Sequence, residues 1–127
     1  MRNLMIPTFS LSLLFLLLTP GAAEAQAQGE TVQFRAQVVD VACYTVHDLT
    51  GEDHRMCAQV CADQGVSLVF LDDEGRLYHP VGEEMPSSGD EENARLRPHA
   101  ERHVDVQGTV IDRGGLRTIV IESISEA

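Results

Sequence analysis

Three cysteines and two histidines fall between residues 43 and 61 of the 127-residue chain, in the order Cys43-Tyr44, His47, Gly51, His54, Cys57-Ala58, Cys61-Ala62. Thiolate and imidazole are the usual ligands of zinc, and the soft sulfur donors also suit Cu(I). Cys43, His54, Cys57 and Cys61 can therefore supply three sulfurs and one nitrogen to a tetrahedral zinc or copper ion, with His47 as a further candidate ligand. The spacing is not that of a zinc ribbon, which would show paired Cys-x2-Cys knuckles.

The same residues admit other chemistry. In an oxidising compartment two of three cysteines usually pair, and Cys43 joined to Cys57 or Cys61 would staple a strand to a helix. Such a staple closes a loop of about 15 residues and contributes about 3 kcal/mol in the chain-entropy account. A Cys57–Cys61 bond is disfavoured, because a full helical turn separates the two Cβ atoms. Exchangeable thiol-redox chemistry is a third reading, although no Cys-x-x-Cys motif supports it. Burial of the cysteines as ordinary packing residues is the fourth.

The elements that must position these residues follow from periodicity. Thr31 to Cys43 reads as one long strand, with Val32, Phe34, Ala36 and Val38 on one face, and its apolar parity switches at Val38-Val39 as at a bulge or a sharp coil, so that one strand could serve two faces of a curled sheet. Thr50 and Asp53 have capping-box spacing. From there Asp53 to Gln64 predicts a helix closed by Gly65, with Met56, Cys57, Ala58, Val60, Cys61 and Ala62 on its apolar arc. His54, Cys57 and Cys61 then share one face, and Cys43 ends the strand before it.

Val66 to Leu71 and Arg76 to His79 flank the turn Asp72-Asp73-Glu74-Gly75, predicting a hairpin. Val81 to Asp90 reads as loop, Glu91 to Arg97 as a short helix before Pro98. His103 to Asp112 and Leu116 to Ile124 form a second hairpin about Gly114-Gly115. The order predicts a mainly β fold: a small five-stranded OB-like barrel with one helix after strand 1 and a short helix before strand 4. An open antiparallel sheet packed on the first helix is the competing arrangement.

Arg2, the apolar stretch Leu11 to Leu18 and the small residues Ala22-Ala23-Glu24-Ala25 have the order of a secretory signal. Cleavage is expected after residue 25, or after 27 at the next small-x-small site, leaving 26–127 as one OB-like domain. The expected location is periplasmic or secreted, and no membrane span remains after cleavage. With 9 basic and 20 acidic residues the net charge is -11, and every cation but histidine is arginine. So acidic a surface repels phosphate backbones, so nucleic acid is not an expected partner.

The remaining motifs carry less. His99 and His103 are read as separate surface histidines, and Asp72-Asp73-Glu74 and Asp90-Glu91-Glu92 as solvated turns lacking the EF-hand pattern. No nucleophile elbow or phosphate loop is present, so no catalytic residue is assigned.

Cys43-Tyr44, His54-x2-Cys57-Ala58-x2-Cys61-Ala62-x2-Gly65, Gly75-x-Leu77-Tyr78, His99-Ala100 and Val104-x-Val106-x-Gly108-x-Val110 run in that order along the chain. The pattern resembles a group of small secreted or periplasmic bacterial domains with an OB-like fold and a cysteine-bearing helix. That resemblance implies the fold and carries no agreed activity. The resulting expectation is an exported non-enzymatic binding domain that holds a transition metal. The alternatives are a disulfide-stapled protein-interaction module using the Val81 to Asp90 loop or a barrel face, and a thiol-redox protein.

Overall fold

The computed structural model describes residues 29–127, so the proposed signal segment lies outside the described residues. Among these, five strands close into a barrel in the order β1-β2-β3-β5-β4. They are β1 (Glu30–Asp40), β2 (Leu68–Asp72), β3 (Leu77–Pro80), β4 (His103–Arg113) and β5 (Leu116–Glu126). The helices α1 (Val41–His47) and α2 (Arg55–Asp63) follow β1, and α3 (Gly89–Leu96) precedes β4. This is the mainly β barrel that the element order predicts. The open-sheet alternative is excluded by the pairing of β3 with β5, which is parallel at His79–Thr118 and Pro80–Ile119 and closes the ring.

β1 serves two neighbours. Its first part, Glu30 to Gln37, pairs with β4, and its last part, Ala36 to Asp40, pairs with β2. Ala36 and Val38 point into a core shared with Leu68, Phe70, Val104, Val106 and Ile119. Phe34 adds an edge contact to Phe70, with centroids 6.5 Å apart, and a closer one of 4.5 Å to Tyr78. Each such buried large side chain is worth about 1.5–3 kcal/mol of transfer free energy. The core, rather than any single bond, therefore holds the platform on which the cysteines stand.

Of the two readings of the parity switch at Val38-Val39, the bulge is absent, whereas the strand does pass from one neighbour to another as a curled sheet requires. β1 keeps unbroken register with both partners, and Val39 and Asp40 are buried on top of Val38 because the chain packs both faces of the strand's end. The irregularity lies instead in the β4–β5 hairpin at Gln107/Gly108. A Cβ on Gly108 would stand 2.4 Å from the Val120 carbonyl, so only glycine allows that approach.

Two boundaries also differ from expectation. The strand stops at Asp40, not Cys43, because the Asp40 carboxylate accepts the N–H groups of Ala42 at 2.8 Å and Cys43 at 2.9 Å and starts α1. An N-capping aspartate here outweighs the strand preference of Val41. The Thr50/Asp53 capping box does not form either. Gly51 at φ 102° opens a 3₁₀ turn over Glu52–His54 with no side-chain cap, and the α-helix begins only at Arg55.

On α2, Ala58 and Ala62 alone enter the core, whereas Met56 and Val60 are exposed. The helix is moored by polar contacts instead. Asp63 takes a two-pronged ion pair from Arg97 at 2.7 and 2.9 Å, and Asn93 of α3 donates to the Val66 carbonyl and accepts from Leu68 N–H. Asp72, expected in a solvated turn, is buried at the end of β2, where it accepts from Arg76, Glu74 N–H and the Tyr78 hydroxyl.

Candidate metal centre

Cys43 is brought over α2 by the first turn of α1 rather than by the end of a strand. His54 closes the 3₁₀ turn, and Cys57 and Cys61 follow on successive turns of α2. The result is two overlapping groups of three ligands. In one, ligand atoms of Cys43, His54 and Cys57 all lie within 4.8 Å of one another; in the other, those of Asp40, Cys43 and Cys61 do so. Cys43 belongs to both.

Exposure grades across the cluster. Cys57 is exposed, Cys43, His54 and Cys61 are partly covered, and Asp40 is fully buried. All three cysteines are free thiols, so neither Cys43–Cys57 nor Cys43–Cys61 is bonded here. His47 sits exposed on the last turn of α1 and joins neither group.

Several buried atoms lack partners. His54 Nε2 and Asp40 Oδ2 are buried, and neither makes a hydrogen bond of acceptable geometry. A buried polar group without a partner costs about 1–3 kcal/mol, and a charged one more. These two atoms belong to residues of different ligand groups that share Cys43, and such residues fit a bound cation: zinc takes Cys sulfur, His nitrogen and carboxylate oxygen at about 2.0–2.3 Å.

The electrostatics set the protonation of the metal-free cluster. Burial, followed by the charges of Asp40 and Cys57, pushes the Cys43 thiol up. Cys61 is pushed up to about 12, first by the neighbouring Asp40 carboxylate, which favours the protonated thiol, and then by burial. Without a cation the cluster therefore keeps these protons at neutral pH. A metal ion reverses the balance, because its charge favours the thiolates it binds.

Glu101 braces the site from the loop before β4. It is buried at φ 61°, its N–H donates to Val38 O at 2.7 Å, and its Oε2 accepts the Gly51 N–H at 2.7 Å. Burial raises its carboxyl pKa, opposed by the Gly51 bond and by the charge of His54. Glu101 thus fixes the start of the turn that carries His54. Neither Asp40 nor Glu101 stands out as a ligand in the sequence. Asp40 carries a capping signal in Asp40-Val41-Ala42-Cys43, whereas Glu101 carries none.

The other histidines remain apart. His99 is half-buried in the 3₁₀ turn Arg97–His99, and His103 is exposed at the start of β4. A groove of about 350 Å³ lined by Val81, Gly82, Glu83, Thr109, Ile111, Val120 and Glu122 borders the Val81 to Asp90 segment and includes none of the cysteines. Among the described residues no helix is long and apolar enough to cross a membrane.

The barrel and the Cys/His cluster implied by the resemblance are both present. The chain matches no known protein-family model, no curated protein and no solved structure, so no family is identified.

Proposed function

We propose that the chain is an exported, non-enzymatic binding domain, periplasmic or secreted, that holds a transition metal, zinc or copper, through Cys43, His54, Cys57 and Cys61. The observation that carries this reading is the convergence of a His54 ring nitrogen with the Cys43 and Cys57 thiols, all within 4.8 Å of one another, on a histidine whose Nε2 is buried without a hydrogen bond. Orphaned imidazole nitrogen beside sulfur is costly in an empty packing role and is satisfied by a metal ion. Compartment rests on the signal-like N-terminus alone.

The test is an intact mass, free-thiol count and elemental analysis on protein purified from the compartment to which it is exported, before and after chelation. Three thiols after chelation and stoichiometric zinc or copper before it are expected. A mass two units low with one free thiol and no metal contradicts the reading and supports the disulfide-stapled interaction module. A specific feature favours that second reading: Cys57 is exposed between the exposed apolar residues Met56 and Val60, a surface that suits a protein partner.

A further inference from the structure

The geometry points to a centre for two metal ions bridged by the Cys43 thiolate, with Asp40 as a ligand of the inner ion. This rests on the metal-binding reading above and deepens it. The outer position is formed by Cys43, His54 and Cys57 and the inner by Asp40, Cys43 and Cys61, each set lying within 4.8 Å. Ligand atoms on one tetrahedral zinc stand roughly 3.3–3.8 Å apart at ordinary bond lengths. Both triads are therefore compact enough to close on an ion with small side-chain movements. A shared soft sulfur is also suited to two ions, since thiolates are the preferred donors of zinc and Cu(I).

Charge is compatible with this arrangement. Once both positions are filled, three thiolates and the Asp40 carboxylate are four anions, with His54 neutral as a ligand, and two divalent cations balance all four. Asp40 is the fully buried member of the inner set, where a carboxylate charge is costly unless it is paired, and an ion held between it, Cys43 and Cys61 would pair it. On binding, each thiol that becomes a ligand gives its proton to solvent, and each ion keeps an open coordination position for water or an incoming ligand.

The test titrates the reduced, metal-free protein with zinc alone and counts bound zinc per chain by native mass spectrometry and by elemental analysis after desalting. Wild type is expected to hold two ions, and Asp40→Asn and Cys61→Ser one each, with far-ultraviolet circular dichroism unchanged. Asn keeps the capping oxygen of α1, and the Cys61 variant serves as the second probe if Asp40→Asn does not fold. A single zinc in wild type overturns the two-ion centre and leaves the metal-binding reading standing. No zinc in wild type, together with no bound copper in the same protein titrated with Cu(I), overturns both. Two ions retained by either folded variant overturn the inner position, because the second ion must then lie elsewhere.

Discussion

The Asp40 carboxylate accepts the backbone N–H of Cys43 at 2.9 Å, so one side chain both starts α1 and walls the thiol cluster. The end of β1 thereby becomes the floor of the candidate centre. Asp40→Ala removes the cap and Asp40→Asn keeps it. We expect the Ala variant to be less stable than the Asn variant by about 1 kcal/mol in urea unfolding of the reduced, metal-free protein. Equal stability of the two would contradict the capping role.

Proton release follows from the raised thiols. At neutral pH the metal-free cluster holds protons on Cys43 and Cys61, the latter pushed up to about 12. Zinc binding is expected to release at least these two protons, and affinity is expected to rise with pH because proton and metal compete for sulfur. Calorimetry in buffers of different ionisation enthalpy counts the protons. Asp40→Asn should bring Cys61 down toward the ordinary thiol value of about 8.5, read as faster alkylation near neutral pH.

Glu101 acts on the centre through Gly51. Glu101→Ala leaves that N–H without its acceptor and loosens the turn bearing His54, so zinc affinity is expected to fall about tenfold, the low end for outer-shell partners of a metal site. Glu101→Gln retains a carbonyl oxygen for Gly51 and should recover most of the affinity. Competition against a chromophoric chelator measures both, and wild-type affinity in a folded Ala variant would remove Glu101 from the account.

Asp72 predicts a pH dependence of stability separate from the metal. Burial raises its carboxyl pKa, but bonds from Arg76, Tyr78 and Glu74 N–H outweigh that and lower it overall. A carboxyl lowered by folding stabilises fully above its unfolded value of about 3.9 and loses that contribution as pH falls through the folded value. Asp72→Asn is therefore expected to cost about 2 kcal/mol at neutral pH, with the gap from wild type closing in strong acid. Urea unfolding across that range checks it, and a gap independent of pH would contradict it.

The barrel was legible because alternation in β1, β4 and β5 and the turns at Gly75 and Gly114-Gly115 are local signals. Spacing pointed to a Cys/His cluster, but it expected His54, Cys57 and Cys61 on one helical face, whereas the structure groups His54 and Cys57 with Cys43 and places Cys61 instead with Cys43 and Asp40, because His54 lies in a 3₁₀ turn ahead of α2. The strand-to-helix change at Asp40 was misread because alternation continues through Val41 and Cys43 while one capping carboxylate decides the backbone. Met56 and Val60 were misplaced because Ala58 and Ala62 suffice to seat α2 when Asn93 and Arg97 hold its end. Glu101 was invisible: it reaches Gly51 across fifty positions of sequence, a contact that no local pattern encodes.

The ligand set itself is measured most directly by X-ray absorption at the zinc or copper edge of the metal-loaded protein. A sulfur shell near 2.3 Å is expected together with a nitrogen or oxygen shell near 2.0 Å whose imidazole scattering disappears in His54→Ala. A shell of nitrogen and oxygen alone, with no sulfur, would contradict a centre built on Cys43, Cys57 and Cys61.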